Sequence, residues 1–80
     1  MAILVKVEKI KTLNDVVTYS FSNEIGKEGT FSIDRLTGSL QLISSLPNDS
    51  RKMYFTRAAR KVMADWQRDG YLPEHTYWAS

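Results

Sequence analysis

The sequence predicts an α+β domain, a four-stranded antiparallel β-meander packed against one C-terminal amphipathic helix and followed by an aromatic tail. Three observations carry this expectation. Up to residue 44, apolar and polar residues alternate in short runs separated by turn-forming residues. From Asp49 the period changes, and Phe55, Ala58, Ala59, Val62, Met63 and Trp66 stand at i, i+3, i+4, i+7, i+8 and i+11. Beyond Gly70, the segment 71–80 carries two Tyr, a Trp and a Leu, too many apolar groups for a solvated end.

The first strand is expected over about 2–13, with Ile3, Val5 and Val7 alternating against Leu4, Lys6 and Glu8. Its phase slips where Lys9 takes an apolar place and Ile10 follows, which a β-bulge near Glu8 and Lys9, or an edge position, would explain. Leu13-Asn14-Asp15-Val16 reads as a tight turn, because Asn and Asp tolerate left-handed geometry and bond their own backbone. The second strand, 16–23, alternates Val17, Tyr19 and Phe21 with Thr18, Ser20 and Ser22, the pattern of a strand with one wet face. The polar loop from Asn23 to Gly29 then reverses the chain into the third strand, 29–34.

Asp34-Arg35-Leu36-Thr37-Gly38 turns the chain again, with Asp34 accepting from the turn backbone and Gly38 supplying positive φ. Leu40 and Leu42 belong to the fourth strand, 39–44. Pro47-Asn48-Asp49-Ser50 ends the sheet and opens a helix over 50–69, with Asp49 or Ser50 as N-cap and Gly70 beyond its end. Its apolar residues cover an arc of roughly 140°, suited to lying across a sheet. Burying them contributes on the order of 10 kcal/mol before ordering entropy is subtracted. The tail is expected to pack on its own domain or on a second copy.

The segment Thr30-Phe31-Ser32-Ile33-Asp34-Arg35-Leu36-Thr37-Gly38-Ser39-Leu40-Gln41-Leu42 resembles the Phe-x-Ile-Asp-x-x-Thr-Gly-x-Leu-x-Leu hairpin of cadherin-type repeats. The resemblance implies a tight hairpin there and nothing more. The calcium-binding signatures of such repeats are missing and the sequence that follows is helical, so no calcium ligand carries over.

Eighty residues make a single domain, 1–80, that buries roughly 60–65% of the surface its unfolded chain exposes. With no cysteine, disulfide staples and a thiolate zinc site are excluded, which fits a reducing cytoplasm. The apolar run Ala2–Val5 is cut by Lys6, far short of a signal core or a membrane span, so a soluble, unprocessed protein with no membrane contact is expected. Eleven basic against nine acidic residues leave a net charge of +2, which is no argument for nucleic acid.

Local charge is a different matter. Arg57, Arg60, Lys61 and Arg68 gather on the helix face opposite the apolar one, and could lie along phosphates, although Asp65 and Asp69 are interspersed as on a solvated face. Arg51 and Lys52 sit in the first turn, where cations oppose the helix dipole. His75, the one histidine, has Glu74 beside it but no second His or Cys to complete a metal shell. Glu24, Glu28 and Asp34 lie on or beside turns with no spacing that sets two across a cleft, and Gly26, Gly29 and Gly38 are too scattered for a phosphate loop.

No catalytic, cofactor or metal residues are therefore expected. Tyr71, Tyr77 and Trp78, with Tyr54, surround the helix ends and form the candidate interaction surface, since Tyr and Trp beside Arg favour protein interfaces. The reading at this stage is a small intracellular non-enzymatic protein acting through protein contacts, as a homodimer. Its alternative is a nucleic-acid-binding module using the basic helix face.

Overall fold

The computed structural model describes residues 4–47, 49 and 51–79. The chain runs β1 (Leu4–Leu13), β2 (Val16–Ser22), β3 (Glu28–Asp34), β4 (Leu40–Ser44), α1 (Met53–Asp69) and β5 (His75–Ala79). The five strands form one sheet of order β4-β3-β2-β1-β5, each pair antiparallel. The α+β class and the meander β1 to β4 stand as expected.

Two corrections follow from β5. The sheet has five strands rather than four, and the helix is not C-terminal but precedes the final strand. Free backbone groups explain why. β1 would otherwise leave one side of its ladder unpaired, and α1 carries the chain from the β4 edge across the sheet to that side. Residues 2–3 and 80, which the strand and tail expectations included, lie outside the described residues.

Local chemistry accounts for the turns. Asn14 takes φ 55° between β1 and β2. In the next loop the Asn23 carboxamide oxygen accepts from the backbone N–H groups of Ile25 at 3.1 Å and Lys27 at 2.9 Å. The third turn closes when Gly38 N–H donates to Asp34 O at 2.7 Å, while the Asp34 carboxylate accepts from Leu36 N–H at 2.9 Å. The bulge in β1 falls between Lys9 and Lys11, one position beyond the expected site, making Ile10 the extra residue. Gly29 is not a turn residue. It lies inside β3, where an added Cβ would meet the Phe21 ring and the Ser44 carbonyl, both at 2.6 Å.

The helix begins at Met53 rather than 50. Lys52 precedes it with φ 56°, and the Asp49 carboxylate reaches past it to accept from Met53 N–H at 3.0 Å and Tyr54 N–H at 3.1 Å. Asp49 thus satisfies two of the unpaired N-terminal donors; Ser50, the other candidate cap, lies outside the described residues. At the far end Gly70 takes φ 81° and donates to Trp66 O at 2.8 Å, the expected glycine stop.

One sheet face and α1 enclose the core: Val5, Val7, Val17, Tyr19, Phe21, Phe31 and Ile33 meet Ala58 and Val62. Phe31 is the centre of an aromatic cluster, stacked on Tyr19 with centroids 5.5 Å apart and edge-on to Phe55 at 5.7 Å. α1 packs over β5, β1 and β2. The opposite sheet face is uncovered among the described residues, and Ile10, Val16 and Ile43 are exposed there. Among the described residues no helix is long and apolar enough to cross a membrane.

Candidate interaction surface

β5 is short, but its ladder is regular. The pairs run from Leu4 with Ala79 to Glu8 with His75, and Lys9 N–H donates to Glu74 O at 2.8 Å just outside the strand. Antiparallel pairs alternate between bonded and non-bonded. With Lys9 and Glu74 bonded, Val7–Thr76 and Val5–Trp78 are the bonded pairs within the strand. His75, Tyr77 and Ala79 therefore point their N–H and C=O groups away from β1, at a sheet edge that nothing covers among the described residues. Side chains alternate as well: Thr76 and Trp78 turn toward α1, while Tyr77 is 63% exposed on the other face.

The segment that delivers the chain to this edge is held firmly. The Tyr19 hydroxyl donates to Pro73 O at 2.7 Å deep in the molecule. Burial first, and then the nearby carboxylates Glu74 and Asp65, push the Tyr19 phenol well above its usual range. Lys9 Nζ lies 2.8 Å from Glu74 Oε1 on the strand side of the same loop.

Asp65 fastens α1 to β5. It is 4% exposed and accepts from the Thr76 hydroxyl at 2.6 Å, with Lys61 Nζ 3.1 Å and an Arg68 nitrogen 3.4 Å from its other oxygen. Those two cation contacts are ion pairs without hydrogen-bond geometry at Oδ1, so the short bond to Thr76 is the directional one. Arg68 also grips Asp69 through two bonds of 2.9 and 3.0 Å, which lowers the Asp69 carboxyl below its usual value and raises the Arg68 guanidinium. About two turns toward the helix start from Asp65, the Arg57 guanidinium lies 5.6 Å from the Trp78 ring centre. Lys61, Asp65, Arg68 and Asp69 line an open groove of about 730 Å³ between the end of α1 and β5, bordered by Tyr71, His75 and Tyr77.

The two candidate sets fare differently. Tyr71 and Tyr77 are exposed beside the groove, at 66% and 63%, and Trp78 lines the same groove while packing half-buried against the core. The basic set divides: Arg57 covers Trp78, and Lys61 and Arg68 surround Asp65. Among the described residues only Arg60 of the four has no carboxylate or ring partner. Tyr54 sits apart, donating to Glu24 at 3.1 Å. His75 lies opposite Glu8 in the ladder, and among the described residues no group of three or more His, Cys, Asp or Glu could hold a metal ion.

Sequence reasoning missed Asp65, reading it as one more surface charge. A signal was present, since Lys61 and Arg68 stand four residues before and three after it on the same helix face. No protein-family model matches the chain, and no curated protein or solved structure matches it.

Proposed function

We propose that this chain is a small, non-enzymatic protein-interaction module, cytoplasmic in keeping with its lack of cysteine, that engages its partner by strand addition at β5 and assembles as a homodimer. One observation carries the reading. His75, Tyr77 and Ala79 offer backbone donors and acceptors at a regular edge that is uncovered among the described residues, with an exposed tyrosine in the middle of it. The ion pairs that occupy Lys61 and Arg68 and the stacking of Arg57 favour this reading over a nucleic-acid-binding helix face, because those cations already have partners.

Amide hydrogen exchange tests it. The Thr76 and Trp78 amides bond to β1 and are protected at any protein concentration. The His75, Tyr77 and Ala79 amides gain protection as concentration rises and lose it on dilution. If those three exchange at the unprotected rate at every concentration while their neighbours stay protected, the edge is unused and the reading fails.

A further inference from the structure

We infer that the partner at this edge is a second copy of the chain, paired β5 to β5 about a two-fold axis that passes through Tyr77. The inference rests on strand addition at β5 and adds the identity, register and symmetry of what is added.

The ladder selects the axis. An isologous antiparallel pair is self-complementary, so residue i meets j and j meets i. With the axis at Tyr77, Tyr77 faces its own copy and His75 faces the partner's Ala79. All three residues whose backbone groups point outward then sit at bonded positions, and each exchanges an N–H and a C=O with the partner. Moving the axis to Thr76 sets Ala79 opposite the partner's Pro73, which has no N–H to give. The Tyr77 register is the one that uses the whole exposed ladder.

α1 runs antiparallel to β5, since Asp65 bonds Thr76 while Arg57 covers Trp78. A two-fold at Tyr77 therefore brings the Arg57 end of one helix flank beside the Asp65 end of the other, where Lys61 and Arg68 already neutralise Asp65 and Asp69, so the flanks bring no net repulsion to the pairing. On the opposite face the two Tyr77 rings, 63% exposed in the single chain, meet at the axis.

The other sheet edge is a poorer candidate. β4 has an extra residue, Ile43, opposite the step from Thr30 to Phe31 of β3, a bulge that interrupts a regular outer ladder.

The chain's lack of cysteine makes the test direct. Across a bonded antiparallel pair the Cα atoms lie about 5.5 Å apart, within the range a disulfide spans. Under mild oxidation Tyr77→Cys forms a covalent dimer on a non-reducing gel. His75→Cys alone and Ala79→Cys alone stay single, while a mixture of the two yields the crossed dimer. Light scattering on the wild type separates the two ways this can go wrong. A dimeric mass without the Tyr77→Cys link, or with His75→Cys linking to itself, overturns the register but leaves strand addition standing. A monomeric wild type at about 100 μM, well above the dissociation constant of any stable dimer, overturns the second copy as partner. In that case protection of the edge amides only when another protein is added would point to a heterologous strand.

Discussion

Tyr19→Phe removes one oxygen from the point where the chain is steered onto the sheet edge. The phenol is fully buried and donates to Pro73 O at 2.7 Å, and Pro73 is buried with it. The variant keeps the ring stacked on Phe31 but leaves that carbonyl without its donor. A lost hydrogen bond of this kind plus a stranded buried acceptor costs about 2 kcal/mol. For a chain of this size, with a urea dependence of about 1 kcal/mol/M, the unfolding midpoint falls by about 2 M at neutral pH.

The same hydroxyl gives a second readout. Its folded-state pKa is raised above the ordinary tyrosine value of 10, so its stabilisation is complete below pH 10 and is lost as pH rises toward the folded value. Tyr19→Phe has no such group. The stability difference between the two proteins therefore shrinks above pH 10, by up to about 1.4 kcal/mol per pH unit. A midpoint shift under about 0.5 M with unchanged slope, or a difference that stays constant from pH 7 to 11, refutes the reasoning.

Asp65→Ala removes the acceptor of the Thr76 hydroxyl and the counter-ion of Lys61 and Arg68. It should cost about 2–3 kcal/mol and lower Tm by about 10–15 °C in a thermal melt followed by circular dichroism. Asp65→Asn keeps an acceptor for Thr76 and loses about half as much; equal losses in the two variants would place the whole effect in the lost negative charge rather than in the bond to Thr76. Gly29→Ala sets a methyl 2.6 Å from both the Phe21 ring and the Ser44 carbonyl oxygen. Denaturant unfolding should show a loss of about 1–3 kcal/mol, because a backbone atom cannot step aside as a side chain can; an unchanged midpoint would mean the β2–β3–β4 stack is looser than this.

Features set by residues close in sequence were legible. The alternation of Val17, Tyr19 and Phe21, the left-handed Asn14, the Asp34–Gly38 turn and the Gly70 stop all depend on neighbours within a few positions. β5 depends instead on β1, at the other end of the chain, and its five residues carry only a faint alternation because Thr76 and Trp78 are only half-buried. Its aromatic content predicted packing but not a strand. Gly29 was misplaced for a related reason, since what excludes a side chain there is the Phe21 ring across the sheet.

At the surface, Tyr71 and Tyr77 were recognisable as large exposed rings, while Trp78, one residue along, turns to the opposite face by strand geometry alone. A helical wheel groups Arg57, Arg60, Lys61 and Arg68 by angle, but it has no place for what lies beside the helix. Trp78 and Thr76 of β5 decide that Arg57 stacks and that Asp65 is buried beneath Lys61 and Arg68.

The most direct measurement is the solution mass of the wild type and of Tyr77→Lys by light scattering after gel filtration, with absorbance at 260 and 280 nm recorded together. The wild type is expected at twice 9.2 kDa and free of nucleic acid. Tyr77→Lys should run as a folded monomer, because the lysines would meet at the axis and a charged edge resists pairing. A wild-type monomer carrying salt-releasable nucleic acid would contradict the edge-strand reading, and so would a dimer that the Tyr77→Lys change leaves intact.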